Sequence, residues 1–88
     1  MMEREIQVVN TLGIHARPAS KIVQTANRFK SKICLVKDTA TADAKSVLNV
    51  MMLGAGFESQ VTIRASGVDE KEALDAMAAL FAQKFNEE

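Results

Sequence analysis

The residues best suited to chemistry stand together near the start of the chain, in the run Leu12-Gly13-Ile14-His15-Ala16-Arg17-Pro18-Ala19, which holds the only histidine. A helix-forming stretch begins directly after His15, so the sequence places the imidazole at a helix N-terminus. There the first backbone N–H groups lack partners within the helix, and the helix dipole adds about half a positive charge. A neutral imidazole is a nucleophile. A phosphoryl group that it accepted would lie against those donors, and Arg17 could share its charge. The pattern predicts a histidine that carries phosphate, with an ordinary surface or capping histidine as the alternative.

Ser46 opens a second segment of interest. Serine is a favoured helix N-cap, and the segment from Val47 to Leu53 that follows is apolar on almost every side. A small domain cannot bury all sides of such a helix, so we expect part of it to be an exposed docking surface. Methionines suit that use because they adapt to several partners. The alternative is that the segment is simply a core helix.

Hydrophobic periodicity predicts the elements that position these two segments. Alternating residues indicate strands at 3–9 and 60–66, and an apolar run indicates another at 32–37. Asp38-Thr39 is a turn signal, after which we expect a short return strand at 40–43. Helical spacing predicts helices at 16–28 and 47–53. Because the strands alternate polar and apolar residues, we expect a mainly antiparallel sheet with one face in water and helices on the other, an α+β two-layer sandwich.

A third helix is predicted after Gly67. Asp69 and Glu72 have the spacing of a capping box, with Asp69 as the cap. One apolar stripe of this helix is formed by Ala73, Leu74, Met77, Ala78, Phe81 and Phe85. Four of these side chains are large, so we expect the helix to supply much of the core.

Composition bounds the remaining possibilities. The 88 residues suit one small domain, 1–88, and 11 acidic residues balance 11 basic ones, so nothing directs the chain to nucleic acid. The single cysteine, Cys34, fits a reducing cytoplasm and is expected to be a buried small side chain rather than a catalytic thiol. No apolar run approaches the ~20 residues of a membrane span, and the charged N-terminus lacks a signal-peptide core. We expect no membrane insertion, no metal and no cofactor.

The chain resembles the histidine-containing phosphocarrier (HPr/NPr) family of the bacterial phosphoenolpyruvate-dependent phosphotransferase system over essentially its whole length. The run from Gly13 to Ala19 matches the family's active-site motif, and Lys45-Ser46-Val47 stands where the family has its regulatory serine. Ala65-Ser66-Gly67 followed by an acidic helix also fits. The resemblance implies an open-faced α+β sandwich, in which a four-stranded, mainly antiparallel sheet carries three helices on one face (βαββαβα).

The resemblance also implies a carrier rather than an enzyme. His15 would accept a phosphoryl group from enzyme I and pass it to IIA components of permeases for sugar uptake and its regulation. Arg17 would stabilise the phosphohistidine, and the backbone N–H groups of Ala16 and Arg17 would hold the phosphate. Partners would dock on Ala16, Arg17, Ser20, Val47, Leu48 and Met51. Ser46 would be phosphorylated by an HPr kinase in organisms that have one, and the chain would act as a monomer.

Two alternatives stay open. The stretch from Ala79 to Phe85 resembles the nitrogen-related phosphocarrier, NPr, which would place the chain in nitrogen regulation rather than in sugar uptake. The other alternative is a regulatory binding module that acts through the Ser46 surface and leaves His15 unused.

Overall fold

The alternating and helical periodicities of the chain form four strands and three helices in the computed structural model, which describes residues 1–86. The strands are β1 (Met2–Gln7), β2 (Lys32–Lys37), β3 (Ala40–Asp43) and β4 (Gln60–Ser66). The helices are α1 (Ala16–Ala26), α2 (Val47–Met52) and α3 (Glu70–Ala82), and a short 3-10 turn follows at Lys84–Asn86. The order β1-α1-β2-β3-α2-β4-α3 is the predicted one, and β2, β3 and β4 have the predicted bounds.

The four strands form one antiparallel sheet in the order β1-β4-β2-β3. The alternation of β4 works as predicted, because Val61, Ile63 and Ala65 are buried while Arg64 is exposed. Helix α3 packs against β1 and β4, α2 packs against β3, and α1 packs against the other two helices. The predicted open-faced α+β sandwich, with its helices on one face, is therefore confirmed.

The helices contribute the apolar stripes that their spacing predicts. Helix α1 buries Ala19, Ile22 and Ala26, although it ends two residues before the predicted boundary because the chain tightens there into i to i−3 hydrogen bonds. Helix α3 buries Ala73, Leu74, Met77 and Phe81 of its predicted stripe, while Ala78 is half-buried. Phe85 is also fully buried. Its ring packs edge to face against that of Phe81, with 4.8 Å between the ring centroids.

Phe85 reaches the core by a different path from the predicted one. Helix α3 ends at Ala82, and the backbone φ angles of Lys84 and Phe85 are +54° and +57°. These left-handed residues turn the chain back, so the Phe85 ring packs on the helix instead of continuing its stripe. The apolar pattern identified a core residue correctly but assigned it to a longer helix than the structure has.

Cys34 departs from the expectation of a buried side chain. It is half-buried, because Ile33 and Leu35 on either side of it take the inward positions of β2. Cys34 lies opposite Asp43 on β3 and Arg64 on β4, which places it on the open face of the sheet. The apolar run of β2 is thus an alternating strand whose outward position happens to carry a thiol.

Asp69 is the N-cap residue of α3, as predicted, but the predicted capping box is wrong. The Asp69 side chain makes no capping hydrogen bond to α3, and Glu72 is exposed. The carboxylate of Glu70 instead accepts a hydrogen bond from the Gly67 N–H at 3.1 Å. The side chain of Asp69 is used elsewhere, to join α3 to the loop between α1 and β2.

The carboxylate of Asp69 accepts hydrogen bonds from the Lys30 N–H and the Ser31 N–H, both at 2.9 Å, and from the Ser31 hydroxyl. These bonds, the Ser31 hydroxyl foremost, hold the pKa of Asp69 below its ordinary value of 3.8. The stabilisation from charged Asp69 is therefore fully present above pH 3.8 and is lost as the pH falls through the lowered folded-state pKa.

Asp69→Asn should lower the thermal unfolding midpoint at pH 7 by roughly 4 °C, because an amide offers these donors one acceptor oxygen and no charge. The difference in midpoint between the two proteins should narrow as the pH falls below the ordinary value of 3.8. Circular dichroism melts at neutral pH and at about pH 3 measure both effects. The pKa values of Glu70 and Asp75 are also lowered, by the Gly67 N–H and by the Arg4 guanidinium, but both proteins share these groups. A difference that does not change with pH would contradict the prediction.

Candidate functional site

His15 is the N-cap residue of α1. Its backbone is extended, with φ −102° and ψ −164°, and its C=O accepts the first hydrogen bond of the helix, from the Ala19 N–H at 2.9 Å. The imidazole is exposed and makes no capping hydrogen bond to the helix that it precedes. The side chain therefore lies at the helix N-terminus, as predicted, but does not cap the helix.

The first turn of α1 beside His15 favours a negative group. Ala16 and Arg17 are exposed, and Pro18 is buried at the third helical position, where its missing N–H costs no helical hydrogen bond. The first turn carries no acidic side chain. An anion placed here would meet the positive end of the helix dipole, with no carboxylate of that turn to repel it.

The loop before His15 is fixed by the loop between α2 and β4. The Ile14 N–H donates to the Ala55 C=O at 2.9 Å. Gly13 has φ +69°, and a Cβ atom built on it would lie 2.8 Å from both the Ala55 oxygen and the Gly56 Cα. Only glycine suits both that backbone angle and that close approach. The two loops therefore meet backbone to backbone at the two residues that precede His15.

Ser46 is the N-cap of α2, as predicted. Its Oγ accepts hydrogen bonds from the backbone N–H of Asn49 at 3.3 Å and from the Asn49 side-chain amide at 3.1 Å. Ser46 is half-buried. The cap role is therefore shown by geometry.

Helix α2 exposes much of its apolar surface. Val47, Leu48 and Met51 are exposed, with Leu48 the most open of the three at 66%, while Val50 is buried. This pattern favours the predicted docking surface over a purely internal helix.

The other residues predicted to dock lie on α1, where Ala16 and Arg17 are exposed and Ser20 is half-buried. We call these six residues the α1–α2 surface, since the two helices pack against each other.

Three further apolar side chains, outside the six residues of the α1–α2 surface, are exposed at the end of α2 and in the two loops that meet before His15. They are Leu12, Met52 and Phe57, with exposed fractions of 76%, 75% and 53%. Leu12 precedes Gly13 and Phe57 follows Gly56, so these two side chains extend from the point where the two loops meet. The sequence signal was a large apolar residue beside a loop glycine, which has no meaning until the loops are known to touch.

Two kinds of site are not found among residues 1–86. No group of three or more His, Cys, Asp or Glu side chains could hold a metal ion in that part of the chain. None of the helices described there is long and apolar enough to cross a bilayer.

The fold and the site together define an α+β sandwich that presents one exposed histidine at a helix N-terminus. The family model described as "PTS HPr component phosphorylation site" matches residues 2–83. The phosphocarrier protein HPr of Treponema pallidum is 48% identical over 88 residues, the whole of both chains. The crystal structure of HPr-C-His from Thermoanaerobacter tengcongensis has a TM-score of 0.95 at 43% identity, and the match covers 100% of this chain and 99% of that one. The chain belongs to the HPr family of phosphocarriers of the phosphotransferase system.

Relatives of other kinds also match over nearly the full length. The phosphocarrier protein NPr of Proteus mirabilis is 43% identical over 86 residues, which are 97% of this chain and 96% of that protein. A second structure from Thermoanaerobacter tengcongensis, described as an HPr dimer, has a TM-score of 0.77 at 42% identity and covers 97% of this chain and 98% of that one.

Proposed function

We propose that His15 accepts a phosphoryl group from enzyme I, which obtains it from phosphoenolpyruvate, and passes it to IIA components of permeases. The observation that carries this proposal is the exposed imidazole at the N-terminus of α1, in a chain that matches the family's phosphorylation-site model. A lone pair of an imidazole nitrogen, Nδ1 by resemblance, attacks phosphorus while the bond from phosphorus to enzyme I breaks. The chain is restored when the IIA component takes the group, so it acts as a carrier and not as an enzyme.

The first turn of α1 suits the phosphorylated state. In the proposal the phosphoryl oxygens meet the N–H groups of Ala16 and Arg17, and the Arg17 guanidinium shares their charge. Phosphoryl transfer depends mainly on positioning and on stabilising charge, and both are supplied here by few groups. The small number of phosphate-binding groups fits a carrier, because a site that held the phosphate too tightly would not release it to the next protein.

The α1–α2 surface is proposed as the docking site for enzyme I and for IIA components. Leu48 and Met51 offer apolar side chains that lose contact with water on docking, and Ala16 and Arg17 lie directly beside His15. The transferring histidine and the surface that binds the partner are thus carried by neighbouring helices. The chain alone supplies half of the transfer site, and each partner supplies the other half.

Ser46 is proposed as a regulatory phosphorylation site for an HPr kinase. A phosphate there would sit at the start of α2, where the cap hydroxyl already accepts from Asn49. It would also place negative charge next to Leu48 and Met51 of the docking surface, which would weaken recognition by enzyme I.

The nitrogen branch is the second candidate function. The NPr of Proteus mirabilis, 43% identical to this chain, supports it, and the resemblance of Ala79 to Phe85 to NPr adds to that support. The rates at which the sugar-branch and nitrogen-branch enzymes I charge the chain would distinguish the two. A regulatory module that leaves His15 unused is disfavoured, since such a protein has no need of an exposed imidazole beside Arg17. We propose a monomer that works in the cytoplasm.

Intact mass spectrometry tests the proposal. The chain is incubated with phosphoenolpyruvate and a catalytic amount of enzyme I, from each branch in turn. We expect one added phosphoryl group, stable in base and lost in acid, as a phosphohistidine would be. No addition with either enzyme I would overturn the carrier function and leave the regulatory module.

A further inference from the structure

The peptide group between Gly13 and Ile14 is held from both sides, one residue before His15. Its N–H donates to the Ala55 C=O at 2.9 Å, and its C=O accepts a hydrogen bond from the side-chain amide of Asn10. Asn10 is 1% exposed and Ile14 is also buried. Because a peptide group is planar, it cannot rotate without losing one of these two hydrogen bonds.

Asn10 also holds the other end of the same glycine. The Gly13 N–H donates to the backbone C=O of Asn10 at 3.1 Å, while the Asn10 side chain binds the Gly13 C=O. On its far side Gly13 lies against Ala55 and Gly56, with no room for a Cβ atom. The segment that leads into His15 is therefore confined by Asn10 on one side and by the loop between α2 and β4 on the other.

Asn10 is a costly choice for a buried position. Its Oδ1 has no hydrogen-bond partner among the described residues, and a buried polar atom without a partner destabilises a fold. An apolar side chain would avoid that penalty but would not hold the Gly13 carbonyl. Polar atoms buried without a hydrogen-bond partner concentrate at functional sites, and Asn10 lies five residues before His15 in the chain.

We propose that Asn10 is a positioning residue for phosphoryl transfer, which acts by fixing the peptide group from which the backbone of His15 continues. This inference rests on the proposed function of His15. The attacking nitrogen must approach phosphorus in line with the bond that breaks, so a small displacement of the imidazole costs rate. Asn10 is buried and forms no part of the α1–α2 surface, so its loss should reduce turnover and leave binding of enzyme I nearly intact.

Amide hydrogen exchange tests the structural half of the proposal in the unphosphorylated protein. In Asn10→Ala the Ile14 N–H, which bonds to Ala55, should exchange about tenfold faster relative to the Ala44 N–H, which bonds to Ile33 at 2.9 Å. Global loss of stability would accelerate both amides, whereas a loosened peptide accelerates only the first. Asn10→Leu is the second variant, because it keeps about the size of the side chain and cannot donate to the Gly13 carbonyl.

Charging by enzyme I tests the functional half. We expect kcat to fall about tenfold in Asn10→Ala and Asn10→Leu, with KM within about twofold of that of the unchanged protein. The matched control is Asn27→Ala, which removes a hydrogen bond of the same type, from the Asn27 amide to the Val23 C=O at 2.9 Å, at the other end of α1. Val61→Ala, a core change in β4, controls for lowered stability.

The outcomes separate this inference from the function on which it rests. A fall in kcat in the Asn10 variants alone, with faster Ile14 exchange, supports the positioning role. An unchanged kcat, or an equal fall in Val61→Ala, would overturn it while the charged parent protein still established the carrier function. A parent protein that took up no phosphate would overturn both.

Discussion

Replacing His15 by alanine should abolish phosphoryl acceptance and leave the fold intact. The imidazole is exposed and makes no capping hydrogen bond, and the His15 C=O that receives the Ala19 N–H belongs to the backbone, which the substitution retains. A surface change without such a contact shifts stability by about 0.5 kcal/mol or less, which corresponds to roughly 2–4 °C in a domain of this size. Intact mass after incubation with enzyme I and a thermal melt measure the two effects.

A second variant separates loss of the nucleophile from any effect on the start of α1. His15→Asn also lacks the nucleophile but places a favoured N-cap residue at the head of α1, so it should melt at or slightly above the parent temperature. Neither variant should gain mass. A phosphoryl group retained in both would mean that another side chain is the acceptor, and a collapse of the fold in His15→Ala would contradict the exposed position of the imidazole.

The fold could be predicted where the spacing of apolar residues matches the repeat of a strand or a helix. The alternation of Val61, Ile63 and Ala65 predicted β4 because every second side chain of a strand lies on the same face of the sheet, and here that face is buried. The exposed apolar helix after Ser46 followed from size alone, since a small domain has too little interior to bury every side of it. His15 was found from its position before a helix, which is a local property of the sequence.

Contacts between distant loops could not be predicted in the same way. Asp69 has the spacing of a helix cap, yet its carboxylate binds the N–H groups of Lys30 and Ser31, about forty residues earlier in the chain. The two hydrogen bonds that Asn10 and Ala55 make to the peptide group before His15 likewise could not be predicted from the sequence, because they form only when two distant loops meet. These choices depend on tertiary geometry, because a polar side chain near a turn has several backbone partners of similar energy.

Ser46→Asp should slow charging by enzyme I by about tenfold or more, mainly through a higher KM, while His15 remains competent at saturating enzyme I. Aspartate is as good an N-cap as serine, and its charge favours the helix start, so α2 should stay formed. The cost arises on docking, because a charge beside the exposed Leu48 and Met51 must lose its water when a partner covers that surface. A tenfold effect corresponds to about 1.4 kcal/mol of binding free energy.

Ser46→Asn is the matched control, because it places a neutral cap of similar quality at the same position and should charge at nearly the parent rate. Equal kinetics for the aspartate and the asparagine variants would show that the start of α2 does not touch enzyme I.

The salt dependence of the charging rate separates the two ways in which the charge of Asp at position 46 can act. Repulsion by acidic groups on a partner is screened as the Debye length falls from about 10 Å at 0.1 M to about 3 Å at 1 M, whereas loss of hydration is not. Since Val47, Leu48 and Met51, the residues of the α1–α2 surface on the helix that Ser46 caps, are apolar, we expect most of the difference between the two variants to persist at high salt.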